Sequence, residues 1–184
     1  MKVIGLIGMI GSGKDAVNDY IANKYGYKVV HMGDIVRTIA KERGLDTHRN
    51  NLDSIQKECT EKHGQGYFAQ EVVREIKESG VEKAIINGIR RPVDAEVPKK
   101  IFGNNMILVQ VDADPQVRFE RLSKRGRPGD PKTIEEFERQ ERDQFKLFNL
   151  EKTLKRVDHK LENDGTLKEL HDKIDKLLKK TGFN

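Results

Sequence analysis

The sequence predicts an α/β three-layer sandwich: a five-stranded parallel sheet with helices on both faces and a short lid. Two observations predict it. Short apolar, β-branched runs alternate with longer helical patterns along the chain, and strands separated by helices build a parallel sheet covered on both sides. The first run also leads into a glycine-rich turn that opens directly onto a helix.

Taken in order, the strand candidates are Lys2–Ile7, Tyr27–His31, Lys83–Asn87, Asn105–Val111 and Val157–Leu161. Helical patterns cover Lys14–Tyr25, Ile35–Arg43, Leu52–His63, Phe68–Ser79, Pro115–Lys124, Ile134–Phe148 and Leu167–Lys179. Boundary chemistry supports several of them. Asp114 before Pro115 reads as an N-cap with proline at the first helical position. Thr133 with Glu136, and Thr166 with Glu169, have capping-box spacing. Glycines and prolines in Arg125–Lys132 predict a mobile loop between two helices. Tyr25, Gly26 and Tyr27 are expected to pack a helix end onto the second strand.

The chain has 184 residues, which suits one domain with a sizeable core. Its segments include a helical region of about residues 34–80, which the resemblance described below assigns to acceptor binding, and a lid of about 125–132. The runs Val3–Ile7 and Met106–Val111 are too short to cross a bilayer. The opening MKVIGLIG carries no signal-peptide pattern. Cys59 is the single cysteine, so an internal disulfide is excluded, which suits a reducing cytoplasm. The five histidines, His31, His48, His63, His159 and His171, show no metal-ligand spacing. The formal net charge of +5 fits either nucleic acid or an arginine-lined pocket for phosphorylated small molecules. No nucleic-acid motif accompanies it, so the pocket is expected and nucleic acid is not.

Gly8-Met9-Ile10-Gly11-Ser12-Gly13-Lys14-Asp15 matches the phosphate-loop pattern G-x-x-x-x-G-K-[ST] except at its last position. Glycines let the backbone N–H groups curl toward phosphate oxygens, and the helix N-terminus adds partial positive charge. Lys14 is placed to reach the β- and γ-phosphates of ATP. Asp15 stands where a hydroxyl usually meets Mg²⁺. It reads either as a charged oxygen ligand for that metal or as a helix-start aspartate favoured by the dipole.

Three further segments join this loop. His31-Met32-Gly33-Asp34-Ile35-Val36-Arg37 resembles the stretch after the second strand of adenylate kinases, where a Gly-Asp pair precedes an acceptor-binding arginine. Asn87-Gly88-Ile89-Arg90-Arg91-Pro92 resembles their segment after the third strand. Arg118, Arg121, Arg125 and Arg127 flank the lid, with Arg139 and Arg142 on the returning helix. Val157–Gly165 resembles the stretch of dephospho-CoA kinases that leads into the adenine-contacting loop. Over nearly the whole chain the sequence resembles a microbial nucleoside monophosphate kinase-like family, described as adenylate-kinase-related or dephospho-CoA-kinase-like.

The resemblance implies an ATP- and Mg²⁺-dependent kinase. Gly8 to Asp15, with Asn163 and Gly165, then bind ATP. Lys14, Arg121, Arg125 and Arg127 carry the transferring phosphoryl group, because phosphoryl transfer needs positioning and positive charge. Arg37, Arg90 and Arg91, with Arg139 and Arg142, grip the acceptor's phosphate as bidentate forks. Asp34 serves as base if the acceptor is a hydroxyl, or as a helix N-cap. Asp15 and Asn87 stand at the metal positions, and Asn87 departs from the family's usual aspartate. The implied partners are small-molecule nucleotides, with no membrane. Phosphorylation of a nucleoside monophosphate is the leading expectation. The alternatives are phosphorylation of a ribose hydroxyl, as in dephospho-CoA kinase, and a nucleotide-binding regulatory ATPase that turns over slowly.

Overall fold

The computed structural model describes residues 1–127 and 129–184, with Arg49 described by its backbone alone. Pro128, inside the expected lid, lies outside the described residues. In chain order the elements are β1 (Lys2–Ile7), α1 (Lys14–Tyr25), β2 (Lys28–His31), α2 (Met32–Glu42), α3 (Arg49–His63), α4 (Tyr67–Glu78), β3 (Lys83–Ile89), α5 (Pro92–Phe102), a 3-10 turn at Gly103–Asn105, β4 (Met106–Asp112), α6 (Pro115–Arg125), α7 (Ile134–Leu147), α8 (Leu150–Leu154), β5 (His159–Glu162) and α9 (Leu167–Thr181).

The five strands pair in parallel in the order β2-β3-β1-β4-β5. Alternation along each strand sends side chains to both faces. Ile4, Leu6, Ile85, Val109 and Val111 meet Val17 and Ile21 of α1 and Leu170, Ile174 and Leu178 of α9. On the other face Val3, Ile7, Ala84, Ile86 and Leu108 meet Val72 and Ile76 of α4, Ala95 of α5 and Leu150 of α8. A smaller cluster joins Val36 and Ala40 of α2 to Ile55 and Cys59 of α3. No helix among the described residues is long and apolar enough to cross a membrane.

The cap signals are observed with one variation. Asp114 Oδ1 accepts from Gln116 N at 2.8 Å, and the Thr166–Glu169 capping box is reciprocal. Thr133 Oγ1 accepts from Glu136 N, but the Glu136 carboxylate returns to Lys132 N at 2.8 Å. Two helices escaped the pattern: α5, interrupted by Pro98, and α8, of five residues. Helix α2 begins at Met32 rather than Ile35, with His31 as N-cap. Asp34 is therefore a first-turn residue and not the N-cap. Arg125 closes α6 instead of opening a loop.

Tyr25 and Tyr27 do more than pack onto β2. The Tyr27 hydroxyl donates to Phe183 O at 2.6 Å. Tyr20 and Tyr25 donate to Asp175 Oδ1 at 2.9 and 2.7 Å, and Lys24 Nζ donates to Asp175 Oδ2 at 2.6 Å. These bonds fasten α1, the helix that begins at Lys14, to α9.

Ile174 is fully buried between α9 and the sheet. Ile174→Ala should cost about 2–5 kcal/mol of stability through lost burial and a residual cavity. Denaturant unfolding at unchanged m-value checks this.

Candidate functional site

Open parallel sheets bind ligands outside the carboxyl ends of their strands, where successive connections diverge. Here that point is the end of β1, since the chain leaves it toward β2 on one side and returns to β4 on the other. The loop Gly8–Gly13 occupies it. A Cβ on Gly8 would lie 2.3 Å from Val111 O, and one on Gly13 would lie 2.2 Å from Asn163 Nδ2. Gly13 also has φ of 91° as the N-cap of α1. Both positions exclude a side chain on contact grounds, and Gly13 on backbone grounds as well.

Asn163 Nδ2 donates to Ser12 O at 2.8 Å, and Arg121 donates to Asn163 O at 2.8 Å. The loop is thus tied to the end of β5 and, through it, to α6. Lys14 Nζ donates to Gly8 O at 2.7 Å and Met9 O at 3.1 Å. Burial pulls the Lys14 pKa from 10.5 to about 8; Arg90, Arg118 and Arg125 add to the fall and Asp15 opposes it. The ammonium is held among other cations, which an incoming polyphosphate would relieve.

A cavity of about 280 Å³ opens above this loop. Its walls include Gly8, Ile10, Gly11, Gly13, Lys14 and Asp15 from the loop, Gly88 to Arg90 from the end of β3, and Arg121 and Arg125 from α6. Four cations therefore face one carboxylate, Asp15. Arg121 NH1 is buried beside Gly13 and makes no hydrogen bond among the described residues. Arg125 Nε donates to Asp130 Oδ2 at 2.9 Å, and that pairing raises the pKa of the arginine and lowers that of the aspartate.

Of the residues singled out in the sequence, the structure gathers Gly8, Ile10, Gly11, Gly13, Lys14, Asp15, Arg90, Arg121 and Arg125 into one cavity wall. Met9 instead packs against the sheet core, and Ser12 is fully buried. Gly165 lies outside the wall, facing the Glu169 carboxylate. Arg37 pairs with Asp34 at 2.7 Å on the exposed first turn of α2. Arg91 is the N-cap of α5, Arg142 pairs with Glu138 along exposed α7, and Arg127 and Arg139 are exposed. None of these lines the cavity.

Arg118, which shares helical spacing with Arg121 and Arg125, has a structural position. It is 4% exposed, donates to Ala113 O at 2.8 Å, stacks on Phe137 and is ion-paired with Glu141. Asn87 is buried, with Nδ2 and His31 Nδ1 3.0 Å apart and Oδ1 without a partner among the described residues. Sequence reasoning missed the wall residues Leu122, Gln144 and Leu150; nothing in an uncharged side chain on an amphipathic helix marks it as facing a ligand.

The parallel sheet and glycine loop define a protein of the P-loop α/β fold, with an arginine-lined cavity above the loop. A family model described as "AAA domain" matches residues 7–138, and by this match and its curated relatives the chain belongs to the AAA domain family and to the UPF0200 proteins. It is 35% identical to the UPF0200 protein of Hyperthermus butylicus over 96% of this chain and 92% of that one. It is 34% identical to the UPF0200/UPF0201 protein of Archaeoglobus fulgidus over its whole length, and spans 57% of that longer protein. Among solved structures, the fold is shared with shikimate kinase from Acinetobacter baumannii in complex with shikimate, at TM-score 0.61 and 18% identity over 100% of this chain and 96% of that one. Shikimate kinase from Aquifex aeolicus gives TM-score 0.55 and 20% identity over 98% of each chain.

A lysine whose pKa lies lower in the folded protein than in the unfolded chain costs stability while it is charged. The cost is full below about pH 8 and disappears as the pH rises toward 10.5. Lys14→Met should therefore be more stable than the parent at neutral pH, and the difference should shrink across this window. Denaturant unfolding over that pH range checks the sign.

Proposed function

We propose that the protein is a nucleotide-dependent phosphotransferase, with ATP as donor and a nucleoside monophosphate as acceptor. One observation carries the reading: a single cavity brings the phosphate loop and Lys14 together with Arg90 from β3 and with Arg121 and Arg125 from α6. Two anionic groups can meet there with cations on opposite sides. The loop and Lys14 hold the donor's phosphates. Arg121, whose NH1 is buried beside Gly13, and Arg125, at the end of α6, supply charge to the transferring group. Arg90 grips the acceptor's phosphate. Arg37 on α2, Arg91 at the start of α5, and Arg127, Arg139 and Arg142 of the lid and α7 lie outside the cavity wall and join only if their elements move inward.

The oxygen donors at the site suit Mg²⁺, a hard cation that accepts carboxylate and water. Asp15 is the wall residue that would hold it, and the metal would neutralise the phosphate oxygens. Asn87 is the second candidate through its unpartnered Oδ1.

A hydroxyl acceptor is the second reading. Asp34 sits on the first turn of α2 with its carboxylate held by Arg37, ready to take a hydroxyl proton. Shikimate kinase, named for a hydroxylated acid, shares the fold.

Four expectations test these readings. Incubating the protein with Mg·ATP and a panel of nucleoside monophosphates, dephospho-CoA and shikimate should give a phosphorylated nucleotide. Lys14→Ala should abolish turnover in a protein that still folds, and near-normal activity would sink the donor assignment. Arg90→Ala should weaken acceptor use by about 1.5–3 kcal/mol, the value of a charged hydrogen bond, with little change for ATP. If the acceptor is a hydroxyl, Asp34→Asn should be the most damaging acceptor-side change.

The pair Asp15 and Asn87 gives a further test. If both serve one metal, Asp15→Ser impairs Mg²⁺ use and Asn87→Asp restores part of it, a non-additive cycle in steady-state rates. Strictly additive losses would leave Asp15 as a helix-start residue.

A further inference from the structure

Arg90 is an exposed arginine just after β3, yet it is held by the start of α5 and by two residues distant in sequence. Its backbone N–H donates to Asp94 Oδ2 at 3.2 Å, beside the 2.8 Å bond from Arg91 N to the same oxygen. Its backbone carbonyl accepts from the hydroxyl of Thr153, a buried residue of α8, at 2.8 Å. Its guanidinium carbon lies 5.0 Å from the centre of the Phe148 ring.

Phe148 caps α7, and the next residue, Asn149, has φ of 51°. Asn149 is the one non-glycine among the described residues with positive φ, a conformation L residues adopt at a cost. That backbone turns the chain between α7 and α8. It leaves Phe148 against the sheet core, with Gln144 and Leu150 on the cavity wall to either side in sequence.

We infer that Phe148 and Thr153 are positioning residues that preorganise Arg90 for an anionic group of the acceptor, an inference that rests on the proposed function. An unrestrained arginine surrenders rotamer freedom when it grips an anion. A ring face beneath the guanidinium removes part of that cost in advance. The contact acts on the charge of the guanidinium and takes up none of its N–H donors itself. The Thr153 bond fixes the backbone from which the side chain springs. The uncommon backbone at Asn149 is what brings the ring and the hydroxyl to the same residue.

The test has two arms on the full chain. In the first, without ligand, NMR of the Arg90 Nε–Hε group reports ring shift and order parameter. Phe148→Leu, which keeps apolar volume, should erase the ring shift and loosen the group; Phe148→Tyr should preserve both. An unchanged Arg90 signal in Phe148→Leu overturns the inference whatever the reaction is. In the second, KM for AMP and for Mg·ATP are compared. Phe148→Leu should raise KM for AMP about three- to tenfold, the range of a cation–π contact, with KM for Mg·ATP unchanged and Phe148→Tyr close to the parent. Thr153→Val should shift the same parameter and serves if the Leu variant folds poorly. In an Arg90→Ala background neither change should weaken AMP use further, and additive losses there overturn the inference. If the parent does not use AMP at all, the nucleoside monophosphate reading fails, while the first arm still decides whether Phe148 sets Arg90.

Discussion

The loop between β1 and α1 is shaped from outside, by Val111 O against Gly8 and by the Asn163 amide against Gly13. Those two contacts come from the ends of β4 and β5, so the position of the loop depends on the sheet being complete on that side. Loop position in turn decides where Lys14 lies and where α1 begins. Gly8 is required because a neighbouring backbone carbonyl leaves no room for a side chain, and Gly13 because the Asn163 amide lies against it and its φ is positive.

Around this loop the chain concentrates positive charge and restrains most of it. Arg118 is neutralised by Glu141 and Arg125 by Asp130. Arg121 is committed on one side to Asn163 O, and Lys14 to the loop's own carbonyls. The depressed lysine pKa reflects burial first, with repulsion from Arg90, Arg118 and Arg125 added to it. Sites arranged in this way carry a stability cost that a bound anion relieves, since a ligand that binds only the folded state stabilises it.

The sequence made the sheet legible because short, near-continuous apolar runs mark strands buried on both faces, and caps such as Asp114 and Thr166 act locally. Helix α5 was not legible, because Pro92 and Pro98 break the helical pattern and its stability comes from packing on β4 and α4. Helix α8 is too short to show a period. For the site, the glycine loop and Lys14 could be read directly, since their spacing is itself the geometry. Arginines could be named but not sorted. Arg118 and Arg121 lie three residues apart, yet one meets Glu141, 23 residues later, while the other meets Asn163, 42 residues later. Nothing local separates a structural from a cavity-facing guanidinium. Likewise, Arg37 looked equivalent to Arg90 until Asp34 was seen to hold it on an exposed turn.

The tie between α1 and α9 bears on how the molecule forms. Tyr20 finds its Asp175 partner 155 positions later, and Ser12 finds Asn163 after 151. Such distant pairings close slowly, because the intervening chain must first be ordered. During synthesis the phosphate loop is therefore made well before either restraint exists. The loop takes its shape only when β5 has joined the sheet and α9 has packed on it, and products truncated ahead of β5 lack the contacts that shape the loop.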